Sequence, residues 1–571
     1  MSTVVAVRRL RVAPALPPAR TRGGSPRRRV GEPTVVLLVC VLTYAAIGAV
    51  LVLGFHSIME DALSRVSNAT YVLYSRQPKL ANVGFVWTPL PSLLFLPLLP
   101  LKVLWPTLVS TGYLACIESA IAMALSVRTL SAILGDLKVR RAARLTIVAL
   151  FAVHPLLLWF GANGMSEALL ILFLLLATRR LMQWLRFQDS RHLVAAGLWL
   201  ALGYLSRYEV LASGAAAVAL VVVVSWRRSR HRGRQRRQEV LTDALLVALP
   251  VTAAFVLWAL VSLVIVGHAF EQFSSQYGNS ALVAVERTAG GATNFAHPHL
   301  TLLLDQMSLL APLLLPVGIV VAVLAVRRRQ PEVLAPMALL GSVLAFEMLA
   351  FASGSLFGFL RYQIAVLPLF AVLVGCLLRG TEDRTGRKAT WRGRWPIAAA
   401  AGLLLPGLAL SAGAVLTSST LANQEYYHLR PVVLRLTGHR QVDPGANGVW
   451  DADRAIAARL DRMALPPGSV LVDSGPGFAV LAATGRPRQF VITSDRDFAG
   501  AVVDPVGHRI GYLLVNDGAD VYDAIRRTWP HLGTGSSAGW AHLAVRFPRP
   551  LPGSHEWSLW RVDQTAAPSH S

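Results

Sequence analysis

The residues of this chain that could do chemistry fall at four places. Glu60 and Asp61 stand side by side just after a long apolar run, in "HSIMEDALS" (56–64). Asn163, Ser166 and Glu167 lie in "GANGMSEALL", Arg207 and Glu209 in "LSRYEV", and Arg361 and Tyr362 in "FLRYQIAVLPLF". Each group borders an apolar stretch long enough to cross a membrane, where an ionisable side chain is costly and points to function. Singly, each has a structural use: an arginine snorkels to headgroups, and an acid pairs with it or solvates a helix end. Together, two arginines and three or more acids at one membrane level describe a site that holds a phosphate and activates a hydroxyl. The planar fork of arginine binds phosphate oxygens in pairs and keeps its charge at a membrane edge.

The elements that must position these residues are membrane helices. Of 571 residues 54% are hydrophobic and 15% charged, and the mean hydropathy is +0.50, too apolar for a soluble protein of this length. Apolar runs of span length fall at 34–55, 103–127, 143–161, 165–184, 243–267, 301–326, 333–353, 359–379 and 396–416. The segment 192–226 is too long for one span and is broken by Ser206, Arg207, Tyr208 and Glu209. The formal charge of +24 is gathered into short clusters between these runs, at the N-terminus, 138–144, 179–191, 227–237, 327–329 and 379–394. Such clusters mark cytoplasmic loops rather than a nucleic-acid face. Because two of them flank 192–226, that segment crosses twice or re-enters and returns; counted as two short spans, it gives about eleven transmembrane helices with the N-terminus inside. All four candidate groups then face outward. Residues 1–33, rich in Arg, Pro and Gly, are expected to form a disordered basic cytoplasmic arm. The outer first loop, 56–102, carries Pro89, Pro91, Pro97 and Pro100, which exclude an unbroken helix, and Trp87 with nearby Trp105 would anchor it at the interface.

After about residue 417 the character changes. Short apolar runs such as "GSVLVDSG", "FAVLAATG", "QFVIT" and "IGYLLVND" read as buried strands, and 451–464 reads as a helix, so 417–571 is expected to form an extracytoplasmic soluble α/β domain. No phosphate-loop motif occurs, so the energy for any reaction comes from the substrate or a gradient. Cys40, Cys116 and Cys376 lie in apolar runs without metal-ligand spacing, and "HPH" at 297–299 reads as a loop.

The outward acid pair after span one, "SE" at the head of span four, the arginine-bearing double span and "RYxxxxxP" leading into a late span resemble the GT-C superfamily. These are integral membrane glycosyltransferases that use polyprenyl-phosphate sugars; the protein mannosyltransferase-like and aminoarabinose transferase-like branch is the most similar. The resemblance covers 34–416. It implies an inverting glycosyltransferase moving a sugar, mannose or arabinose, to a glycan, lipoglycan or protein acceptor on the outer face of the plasma membrane. It assigns Asp61 or Glu60 as general base; neighbouring helix positions point about 100° apart, so one faces the site and the other supports it, and Asp61 is preferred as the base. Arg361, Arg207 and Tyr362 would hold the donor phosphate, with Glu167, Glu209 and His56 in support. A divalent cation on Glu60, Asp61 and His56 is an option but no cofactor is obligatory; the loop lacks a DxD pattern. Two other readings use the same many-span layout: a lipid or polysaccharide transporter or flippase, and a non-catalytic envelope scaffold. Matching inverted halves, which a transporter would often show, are absent from the sequence.

Overall fold

The computed structural model describes residues 31–275, 278–288, 300–380, 394–517, 523–534, 539–547 and 556–565. The expected basic arm, most of the 379–394 cluster and "HPH" at 297–299 lie outside them.

Helix α1 (Glu32–Ala49) has Pro33 in its first turn, where a missing N–H costs nothing, and ends through a π-turn at Gly54. Helix α2 (Glu60–Tyr74) has both acids in its first turn, where they face the positive end of the helix dipole. The proline-rich loop that follows makes only short turns, as its prolines require. Helix α3 (Tyr113–Asp136) begins ten residues later than the apolar run at 103 suggested, because Pro106 and Gly112, at φ +78°, hold the chain out of a helix. The run 143–161 is likewise not one helix. Pro155 breaks it into α4 (Arg141–Ala152) and α5 (Pro155–Phe160), with His154 Nδ1 accepting the Leu156 N–H between them.

Helix α6 (Glu167–Phe187) is followed by α7 (Arg191–Ser206) and α8 (Val210–Arg228), so the long segment does divide at Arg207–Glu209. Helix α9 (Gly233–Val266) follows; α10 (Leu300–Leu310) and α11 (Leu314–Arg327) then meet at a 74° bend around Pro312. Helices α12 (Leu334–Ala352), α13 (Val366–Leu377) and α14 (Trp395–Thr417) complete the bundle. Among the described residues eight helices are long and apolar enough to cross a membrane, or nine with the bent pair as one. The broken α4–α5 segment and the 16-residue α7 are the expected spans that fall short.

Helix α15 (Asn423–Leu436) leads out of the bundle to α16 (Asp451–Met463) and a mixed five-stranded sheet. Its strands are β1 (Val470–Val472), β2 (Phe490–Val491), β3 (Tyr512–Asn516), β4 (Ala541–Phe547) and β5 (Trp557–Val562), in the order β2-β1-β3-β5-β4. The first three strands are parallel, whereas β5 runs antiparallel to both β3 and β4. "FAVLAATG" is not a strand: most of it lies in α17 (Ser474–Ala483), capped by Asp473, whose carboxylate accepts the Gly475 N–H at 2.8 Å.

Helix α2 belongs to both halves. Ala62, Leu63, Val66 and Ala69 pack into the bundle core, while Tyr71 packs with Ile456, Val472 and Trp557 under the sheet. Ser67 Oγ donates to the Phe478 carbonyl at 2.8 Å, and Trp450 Nε1 to the Ile58 carbonyl at 3.3 Å. Just beyond α2, Arg76 pairs with Asp495 at 3.3 Å and with Asp497. At the other flank Gly164, at φ +79°, lets the turn before α6 approach α2: a Cβ there would lie 2.6 Å from Ala115 Cβ and 3.1 Å from Ala62 Cβ. Gly164→Ala is therefore expected to lower the thermal midpoint in detergent, about 1–2 kcal/mol of the loss coming from the backbone alone. An unchanged midpoint would show that the turn does not press on α2 in this way.

Candidate active site

Asp61, in the first turn of α2, places Oδ2 3.1 Å from Arg361 Nη1. Arg361 sits on a 3-10 turn, Leu360–Gln363, and is 8% exposed; its guanidinium lies 5.2 Å from the ring centres of Phe359 and Tyr362. Its Nε is 3.9 Å from Glu167 Oε1 at the head of α6. The same oxygen accepts from Arg207 Nη1 at 2.7 Å, and Arg207 Nε donates to Glu209 Oε1 at 2.9 Å. Arg207 also lies 5.8 Å from the Tyr362 ring. Both arginines thus turn inward to acids instead of reaching for headgroups. The structure brings Asp61, Glu167, Arg207, Glu209, Arg361 and Tyr362 into one network of alternating charge.

Glu60 and His56 stand outside it. Glu60 is exposed in the first turn of α2, and His56 Nδ1 lies 2.9 Å from the Asp451 carboxylate. The three residues considered for a cation, Glu60, Asp61 and His56, therefore do not converge. Among the described residues no three His, Cys, Asp or Glu side chains group as metal ligands.

Several charged or polar neighbours went unremarked in the sequence. Arg65, four residues beyond Asp61 and so on the same face of α2, is buried with Nη1 bonded by no other residue. Glu118 on α3 is its acidic neighbour. Glu347, deep in α12, is buried and hydrogen-bonds Glu209. Both acids interrupt apolar runs, a signal the sequence carried. Glu425 on α15 is fully buried, and it lies beyond the last span, where nothing in the pattern marked it.

Electrostatics separates these groups. Burial alone pushes the Asp61 carboxyl up, but the charges of Arg361 and Arg65 outweigh it and hold Asp61 below the usual carboxylate range. Burial pulls Arg65 down, with Asp61 and Glu167 opposing. Glu425 is pushed up to about 7 by burial, against its own N–H and Arg361. Chemically, the arrangement offers an ionised carboxylate next to guanidinium groups that could receive a phosphate. A cavity of about 240 Å³ opens at the far ends of α3 and α6 instead, but its Arg179 and Asp136 are bonded to each other at 2.8 Å.

Residues 110–258 match the model of the Dolichyl-phosphate-mannose-protein mannosyltransferase family, a stretch that includes Glu167, Arg207 and Glu209. No curated protein matches the chain. Among solved structures, the Saccharomyces cerevisiae protein O-mannosyltransferase Pmt1-Pmt2 complex bound to the sugar donor is 17% identical at a TM-score of 0.30. That match covers 40% of this chain and 33% of the yeast one, so the chain spans a third of the yeast protein's length. The Archaeoglobus fulgidus oligosaccharyltransferase in complex with Zn and sulfate is 11% identical at a TM-score of 0.43, covering 84% of this chain and 68% of its own. With such slight likenesses, a functional reading rests on the family match and the site geometry. Over residues 110–258, the GT-C resemblance read from the sequence is met by a family of dolichyl-phosphate-mannose-protein mannosyltransferases.

Proposed function

We propose that the chain is an inverting glycosyltransferase that moves a sugar from a polyprenyl-phosphate donor to an acceptor hydroxyl, at the membrane face where α2 begins. The observation that carries this reading is the Asp61–Arg361 pair, a carboxylate and a phosphate-competent guanidinium 3.1 Å apart at the edge of the bundle. Asp61 takes the proton of the acceptor hydroxyl as its oxygen bonds to the anomeric carbon. The bond from that carbon to the phosphate breaks on the opposite face, and its electron pair leaves with the polyprenyl phosphate. Arg361 and Arg65 stabilise the negative charge that collects there. Arg207, already held by Glu167 and Glu209, props Arg361 through Glu167 rather than binding phosphate itself. Mannose is the favoured sugar, on the strength of the family match, with arabinose second. The acceptor is a cell-envelope glycan, lipoglycan or protein, met on the outer face of the plasma membrane.

A base held as low as Asp61 is a weak proton acceptor. The donor phosphate resolves this by taking over Arg361: the carboxylate loses its strongest partner and becomes more basic once substrate is in place. Since kcat/KM reports the free enzyme and kcat the complex, the acidic limb of kcat should lie at higher pH than that of kcat/KM. Coincident limbs would mean that Asp61 keeps Arg361 throughout the reaction.

Transfer of labelled sugar from polyprenyl-phosphate donors in proteoliposomes tests the reading directly. Asp61→Asn should cost about 10²–10⁴-fold in transfer rate while donor still binds, as expected for loss of a general base. Glu60→Gln should keep most of the activity, and Arg361→Ala should weaken donor binding. If the parent transfers no sugar from any donor, or if all three variants are fully active, the glycosyltransferase reading falls.

A further inference from the structure

Beyond the charged network, the same site has a wall of uncharged polarity and one acid that the reaction above leaves unused. Glu425 is fully buried, and neither carboxylate oxygen is bonded by another residue. Its carboxyl feels the charges of Arg361 and Glu167. The start of α15 is fixed to the loop that delivers Arg361. Asn423 Nδ2 donates to the Gly358 carbonyl at 3.1 Å, and Gln306 Nε2 bridges the Gly358 and Leu421 carbonyls at 3.0 and 3.2 Å.

One turn beyond Glu425, His428 stands 3.0 Å from Ser57 Oγ and packs on the Trp159 ring at 5.3 Å. This ties the same face of α15 to the approach to α2 and to α5. Four residues after Trp159 comes Asn163, fully buried, its Oδ1 accepting the Met165 N–H at 3.1 Å and its Nδ2 bonded by no other residue. Met165 Sδ in turn touches Arg361 Nη1 at 4.0 Å. Gln363, on the Arg361 turn, is also fully buried with both ends of its amide unbonded.

Buried polar atoms are nearly always paired in native proteins, so three such side chains on the segments that meet at Arg361 call for a ligand that pairs them. A lipid tail has no polar atoms to offer, and an ionised phosphate oxygen, which only accepts, cannot pair the Gln363 amide oxygen. A ring of hydroxyls carried on a phosphate suits all of them. Each hydroxyl both donates and accepts, so it bonds a carboxyl oxygen, an amide N–H or an amide oxygen equally well. Joined to the phosphate at Arg361, such a ring is the glycosyl part of the donor.

We infer that Glu425, with Asn163 and Gln363, forms the pocket that binds the hydroxyls of the donor's sugar and so selects which sugar is transferred. This rests on the glycosyltransferase reading and assigns that site its sugar-recognising residues. A site built to bond a substrate hydroxyl discriminates strongly against an analogue that lacks it or misplaces it, because its own buried groups are then left unpaired.

The test compares binding of undecaprenyl phosphate, undecaprenyl-phosphate mannose and undecaprenyl-phosphate glucose to the full chain in nanodiscs. Glu425→Ala should weaken the preferred sugar-bearing lipid by about tenfold or more and flatten the preference between the two sugars, which differ only in the C2 hydroxyl. Binding of undecaprenyl phosphate should stay within about twofold, because that probe has no hydroxyls to lose. Glu425→Gln keeps the shape of the side chain; with a thermal midpoint matching the parent, it carries the test if the alanine variant is unstable. Equal weakening of all three probes, or no change in any, would overturn the inference. Failure of the parent chain to bind any of the three would instead remove the glycosyltransferase reading on which it rests.

Discussion

Asp61, Arg361, Glu167, Arg207 and Glu209 form a run of alternating charges that four separate segments must deliver to one buried place. Taking any of these groups out of water alone would be prohibitive, and removing one partner from a buried pair typically costs about 3–5 kcal/mol. Each segment is therefore held in place by the others' charges as well as by packing. The turn between α7 and α8 exists as a turn because Arg207 and Glu209 belong in this network and not in a continuous apolar helix. Pairing in the interior also explains why the short α7 ends at Ser206, where the chain delivers Arg207 toward Glu167.

The second constraint is that α2 serves two cores at once. Its first turns carry Asp61 and pack into the bundle, and its last turn carries Tyr71 into the core beneath the sheet. The sheet domain is thus part of what sets the direction of the Asp61 side chain, through Ser67, Trp450 and Arg76. A domain attached only by a linker would have no such hold. On the proposed function, an acceptor that engages the sheet domain would do so on a body rigidly coupled to the base that deprotonates it.

What the sequence disclosed followed from period and charge. The apolar runs, their breaks and the residues at their edges located Asp61, Glu167, Arg207, Glu209, Arg361 and Tyr362, because ionisable groups next to membrane spans have few purely structural uses. Glu118 and Glu347 carried the same signal inside their runs and were legible by the same rule. Arg65 was legible too, by helical spacing from Asp61. Glu425 was not: on a polar helix beyond the last span, an acid looks solvated until tertiary packing buries it. "FAVLAATG" failed for a related reason, since a short run buried all around has no face for a period to reveal, and the Asp473 cap decides for helix. The late start of α3 needed the backbone of Gly112, which no hydropathy pattern encodes.

On the proposed function, the arrangement of Asp61 and Arg361 also answers why a base should be tied to an arginine at all. Burial pushes a carboxyl toward protonation, as it does at Glu425, and the arginines beside Asp61 oppose it. With Arg361 and Arg65 Asp61 stays ionised, though weakly basic, and the site remains folded and charged while it waits. A phosphate competes for the same guanidinium fork that a carboxylate occupies. On the proposed function, its arrival turns the stabilising partner of the base into the stabilising partner of the leaving group, so a single arginine serves both charges in succession.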